Sequence, residues 1–148
     1  MNIMEHGVRR TSNKSNGFTL LELLVVLVIL GLLAAIATPQ VMKYLGHAKT
    51  DTAMLQIQNL GVVLDLYKLD NGDYPSEQQG LDALLTQPQN APDWNGPYTR
   101  RGQSLIDPWS QKYVYKYPGE HGEFDLYSQG SDRKPGGSGE KQDVNNWR

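Results

Sequence analysis

One glutamate inside an apolar run constrains this chain more than any other feature. Residues 23–37 carry no charged or strongly polar side chain, and the flanking residues extend the run over 18–42, about 25 residues. Its main interruptions are Thr19, Glu22, Thr38, Pro39 and Gln40. At about 1.5 Å rise per residue, a helix of that length crosses a hydrocarbon core of about 30 Å. A charge within such a span costs at least about 2.5 kcal/mol, so Glu22 marks a function unless it snorkels from one end.

The residues before the run decide its direction. Arg9, Arg10 and Lys14 stand against Glu5 in the leader. Such a basic flank keeps residues 1–17 cytoplasmic and places everything after Pro39 on the far side. A secretory signal peptide makes the same start, and Ala35-Ile36-Ala37 resembles its cleavage site. Cutting there would release a soluble domain beginning at Thr38. Against it stand the length of the run, the length of the basic region, and Glu22 inside the apolar stretch.

Residues 43–148 are near the lower limit for a self-supporting core. Net charge is -2, and loss of the leader, itself +2, leaves -4, which offers no nucleic-acid surface. There is no Cys, so a domain in an oxidising compartment would have no disulfide to hold it. His6, His47 and His121 are scattered, and no nucleophile–base order, zinc spacing or phosphate loop is present. Enzymatic chemistry is not expected.

Beyond Pro39 the helical pattern continues. Val41, Leu45, Ala48, Thr52, Leu55, Val63 and Tyr67 lie on a helical stripe that Ile57, Leu60 and Leu64 widen. Leu69-Asp70-Asn71-Gly72 predicts the C-cap. Phe18 to Asp70 would then be one helix of about 80 Å, with Pro39 expected to kink or locally melt it over 35–39. Ser76 and Gln79 form a capping-box pattern that predicts a short helix to Leu85, and residues 86–97 read as a loop. Asp107-Pro108 marks a turn. Tyr113, Tyr115 and Tyr117 alternate as in a half-buried strand, with further strands expected at 124–128 and 144–147. The tyrosines fit core packing better than a ligand-stacking platform.

In residues 128–143, Gly130, Gly136, Gly137 and Gly139 permit tight folding, while Ser131, Asp132, Ser138, Glu140 and Asp143 supply oxygens. Ca²⁺ takes six to eight oxygens at about 2.3–2.6 Å, from carboxylates and carbonyls. The spacing is not that of an EF-hand, and on residues alone a solvated loop remains the alternative.

Gly17-Phe18-Thr19-Leu20-Leu21-Glu22 resembles the processing site of type IV prepilins and type II secretion pseudopilins. The stretch from Tyr67 to Pro75 with Gln79-Gly80-Leu81 after it, then Asp107-Pro108-Trp109 with Tyr113, Phe124-Asp125-Leu126-Tyr127-Ser128 and Asp143-Val144-Asn145-Asn146-Trp147, narrows the likeness to the major pseudopilins. The leader motif alone would leave type IV pilins and minor pseudopilins open. The resemblance implies an α+β, type IV pilin-like fold: a long N-terminal helix on a small antiparallel sheet, with a C-terminal ion-binding loop. It implies a cleaved leader (1–17), a transmembrane and filament-core helix (18–42) and a periplasmic head (43–148). A prepilin peptidase would cut between Gly17 and Phe18 and methylate the new Phe18 amine. Glu22 would neutralise that ammonium on a neighbouring subunit. The loop would wrap a structural Ca²⁺ through Asp132 and Asp143, with carbonyls near Gln129 and Ser138. Arg133, where the family usually has Gly, and Gln142 depart from the pattern. The implied role is a helical homopolymer anchored in the inner membrane. It would work with minor pseudopilins, an assembly platform and a cytoplasmic ATPase to move folded proteins through an outer-membrane secretin.

Overall fold

The computed structural model describes residues 17–100 and 105–147. The basic leader side chains Arg9, Arg10 and Lys14, and His6, lie outside the described residues. Two compact units divide at Pro39.

Helix α1 spans Leu20–Asn71, 52 residues. Thr19 caps its start: its Oγ1 accepts the Glu22 amide at 3.2 Å, satisfying one of the four free N–H groups of a first turn. Of the kink or local melting expected over 35–39, melting is not found: helical conformation continues through Pro39. Only the one donor is lost there, and in the adjoining turn the Thr38 hydroxyl donates to the Ala34 carbonyl at 2.7 Å. At the far end Gly72, with φ +85°, donates its amide to the Lys68 carbonyl at 2.8 Å, closing the helix as its composition predicts.

In the first unit the large side chains of α1 are uncovered, from Val25 at 45% exposure to Leu20 at 87%. In the second, α1 divides its apolar residues between two faces. Ala53, Ile57, Leu60, Leu64 and Tyr67 are buried, while Val41, Leu45, Leu55, Val62, Leu66 and Leu69 are exposed. The broad stripe of the sequence is thus two stripes, and only one meets the chain's own core.

That core is closed by a 3-10 helix, Gly80–Leu84, and a three-stranded antiparallel sheet in the order β1-β2-β3. The capping box forms as expected: the Ser76 amide donates to Gln79 Oε1 at 2.7 Å, and the Gln79 amide to Ser76 Oγ at 3.3 Å. It closes a turn over 77–79 that ends at Gly80, φ +56°; the helix that follows is 3-10 rather than the expected α-helix and has no side-chain cap of its own. Strand β1, Val114–Lys116, pairs with β2, Asp125–Ser128, in the register Tyr115↔Leu126; β2 pairs with β3, Val144–Asn145, through Ser128↔Val144. Each strand is shorter than its sequence pattern suggests. Leu126 is fully buried and packs in the cluster that holds Ile57, Leu60 and Leu64 of α1.

The hydroxyls of this tyrosine stripe all find protein partners. Tyr115 donates to the Pro75 carbonyl at 2.8 Å, Tyr113 to Gln56 Oε1, and Tyr117 to Asp73. Such satisfaction is what buried tyrosine requires: Tyr113 and Tyr115 are core, and Tyr117 packs partly buried against it.

Candidate functional site

The loop between β2 and β3 is built from two arms. The first leaves Ser128 through Gln129 into a 3-10 turn, Gly130–Asp132, and ends at Arg133 in the left-handed region, φ 60°. The second is a 3-10 turn, Gly139–Lys141, leading through Gln142 to Asp143. They meet closely. A Cβ on Gly130 would lie 2.6 Å from the Glu140 carbonyl oxygen, and one on Gly137 2.4 Å from that of Lys141. Both glycines also have positive φ, +64° and +88°, so their lack of a side chain is a requirement of the crossing.

The Asp143 amide donates to the Gly136 carbonyl at 3.2 Å, and the Gly136 amide returns a bond to Asp143 Oδ2 at 2.8 Å. Asp143 Oδ1 is buried and has no hydrogen-bond partner. A desolvated carboxylate oxygen without a donor is costly, and a cation is one of the few groups that removes the cost. Asp132 accepts a backbone bond from Lys134 at 3.2 Å, and the Ser138 carbonyl accepts from the Lys141 amide at 3.2 Å, retaining a lone pair. Asp143 and Gln129 share a cavity of about 180 Å³; Asp132 and Ser138 do not line it. The donor set suits Ca²⁺, being oxygen only and partly backbone. Among the described residues no group of three His, Cys, Asp or Glu that could hold a metal ion stands together, so an ion here would depend on backbone and amide oxygens beside Asp143.

The same cavity is lined by His121 and Asp125. Asp125 is 2% exposed and accepts the His121 ring Nδ1 at 2.9 Å and the backbone amides of Glu120 and His121 at 3.0 and 3.1 Å. Burial works to raise its carboxyl pKa, yet the His121 ring and these amides outweigh it and hold the value below the ordinary one. His121 also stacks on Trp147, centroids 4.2 Å apart. Nothing in the sequence pattern singles out this pair.

At the other end, Gly17, Phe18 and Glu22 are all exposed, Phe18 to 77%. Glu22 lies in the first turn of α1, where a negative charge complements the helix dipole. Thr19 and Glu22 together make the Thr-x-x-Glu capping pattern, a local signal that the processing motif overlies.

A single long helix with an apolar first half, set on a three-stranded sheet with a Gly-rich loop before the last strand, defines a pilin-like subunit. The family description "Type II secretion system (T2SS), protein G" matches residues 40–147, and "Prokaryotic N-terminal methylation motif" matches residues 12–38. Type II secretion system core protein G of Pseudomonas aeruginosa is 47% identical over 138 residues, covering 90% of this chain and 96% of that protein. Core protein G of Vibrio cholerae is 42% identical over 137 residues, covering 90% and 92%. The crystal structure of the major pseudopilin from the type 2 secretion system of enterohaemorrhagic Escherichia coli superposes with a TM-score of 0.59 at 32% identity, covering 72% of this chain and 92% of that one. The chain belongs to the type II secretion system protein G family, the major pseudopilins.

Proposed function

We propose that residues 1–17 are removed at Gly17-Phe18 by a prepilin peptidase, which then methylates Phe18. The helix from Phe18 anchors the subunit in the inner membrane with its head in the periplasm until it enters a homopolymer. The observation that carries this reading is the uncovered circumference of α1, whose large apolar side chains between Leu20 and Ile36 are all at least 45% exposed. Lipid covers that surface before assembly and neighbouring copies cover it afterwards. The exposed stripe from Val41 to Leu69 extends the same demand past the span. In the polymer, Glu22 neutralises the Phe18 ammonium of an adjacent copy, since either charge alone in hydrocarbon is costly. Minor pseudopilins and an inner-membrane platform supply the start and the driving of growth toward a secretin.

Mass spectrometry of the membrane-extracted protein tests the first step, with a start at methylated Phe18 expected. A start at Thr38 would show a secretory signal instead. Glu22→Ala is expected to insert in the membrane normally and to lose filament yield and secretion; normal yield from that variant would leave Glu22 as a helix-capping charge only.

Ca²⁺ in the loop completes the reading. Asp143 and Asp132 would hold it with carbonyls of Gln129 and Ser138, and the ion would supply charge compensation and fix the two arms. The buried, unpartnered Oδ1 of Asp143 supports this. Melting of the detergent-solubilised chain in calcium and in chelator tests it: calcium should raise the melting temperature, and Asp143→Ala should abolish the response. Ion at one hundred times its Kd contributes about 2.7 kcal/mol.

A further inference from the structure

We propose that the turn at residues 107–111 is a positioning device for the ion loop: Asp107, acting through Ser128, and Gln111 hold both backbone groups of Gly130 and so set the loop's first arm for cation binding. This rests on the Ca²⁺ reading above and concerns residues that touch no ion themselves.

Asp107 is a carboxylate only 5% exposed. Its Oδ1 closes its own turn, accepting the amides of Trp109 at 2.9 Å and Gln111 at 2.8 Å. The turn is sealed a second time by backbone, with the Asp107 amide donating to the Gln111 carbonyl at 2.7 Å and the Ser110 amide to the Asp107 carbonyl at 2.9 Å. The backbone bonds of the turn are all made without Oδ2. That oxygen instead reaches out of the turn to accept the hydroxyl of Ser128, the last residue of β2 and 1% exposed. The Ser128 oxygen in turn accepts the Gly130 amide at 3.2 Å. From the same turn the Gln111 side chain donates Nε2 to the Gly130 carbonyl at 3.1 Å.

Gly130 is therefore gripped on its N–H side and on its C=O side by one turn, 19 residues earlier at Gln111. It is also the point where the second arm crosses, 2.6 Å from the Glu140 carbonyl to an added Cβ. Residues 129–141 hold no large apolar side chain, so burial cannot order this arm, and ordering backbone costs about 1–2 kcal/mol per residue. A hydroxyl on a buried carboxylate is a strong, directional bond. Outer contacts of this kind orient metal ligands elsewhere, and their loss typically weakens metal affinity about 10–100-fold.

The test is calcium titration calorimetry and melting on the detergent-solubilised full chain, for the parent, Gln111→Ala, Gln111→Glu, Ser128→Ala and Asp143→Ala. Both Gln111 variants and Ser128→Ala are expected to weaken calcium binding about tenfold and to shrink the rise in melting temperature that calcium produces. Gln111 is only half-buried, so its variants decide the matter even where Ser128→Ala misfolds. An unchanged calcium Kd, with melting lowered equally in chelator and in calcium, would overturn the inference and leave an ordinary structural turn. That outcome is distinct from failure of the ion reading itself, in which the parent shows no calcium response and this inference falls with it.

Discussion

Two glycines in close contact with the same residue are expected to respond oppositely to an added methyl group. At Gly46 of α1, a Cβ would lie 2.5 Å from Cγ and 2.6 Å from Oε1 of Glu140. Both belong to a flexible side chain with room to swing beside Lys43 and His47. Gly46→Ala also gains about 1 kcal/mol of helix propensity, so melting is expected to hold or rise. At Gly130 the obstacle is the Glu140 backbone and φ is +64°; neither can yield without breaking the loop. Gly130→Ala should cost several kcal/mol, about 1–2 of it from the left-handed backbone alone, and remove the proposed calcium stabilisation. Thermal melts of the two variants check the contrast. Arg133 presents the reverse case: a non-glycine side chain sits at φ 60°, in the left-handed region that favours glycine. Arg133→Gly is expected to relieve backbone strain and, on the proposed Ca²⁺ reading of the loop, to withdraw a cation from it and raise calcium affinity. Arg133→Gln separates the effects, since it removes the charge and keeps the strain.

At the scale of elements, what the sequence declares locally it declares well. The Gly72 cap, the Ser76–Gln79 capping box and the alternation of Tyr113, Tyr115 and Tyr117 are read from neighbours within a few residues, and each is found. The 3-10 character of Gly80–Leu84 was not legible, because i→i+3 against i→i+4 bonding depends on where the turn must end against α1. The Asp107–Ser128 and His121–Asp125 pairs were invisible for a different reason: they join polar residues whose partners are chosen by the fold. So was the division of α1 into covered and uncovered stripes, since both stripes are equally apolar. The tyrosines add a pH dependence. Burial keeps the Tyr74, Tyr113 and Tyr115 hydroxyls protonated well above the ordinary value of 10.0, and at Tyr74 the bonds to Glu123 and Asp65, both 2.8 Å, add to the effect. A group whose folded pKa is raised contributes stability that is whole below its unfolded pKa and is lost as pH rises through the folded value. Melting temperature is therefore expected to fall steeply above pH 10.0, with tyrosinate absorbance from these three residues appearing only as the protein unfolds. Their tyrosinate absorbance developing well ahead of unfolding would contradict it.

For the whole molecule, the proposed polymer places folding and assembly on different faces of one helix. Leu64 is fully buried among Ile57, Leu60 and Leu126, whereas Leu66, two residues on, is 48% exposed and Val62, two residues back, 60%. Within the second unit the exposed apolar residues share one face of α1, opposite the buried one, and that face is free to meet another copy. Leu64→Ala should therefore destabilise the subunit by about 2–5 kcal/mol through lost burial and the cavity left behind. Leu66→Glu and Val62→Glu should leave its melting within about 0.5 kcal/mol of the parent, as exposed sites do. Filament yield is expected to order the variants differently: the glutamates at 62 and 66 would put like charges into contacts between copies, and assembly should fail in subunits that are fully folded. Normal filaments from both glutamate variants would confine self-association to the apolar span and leave the outer stripe of α1 without a role in the polymer.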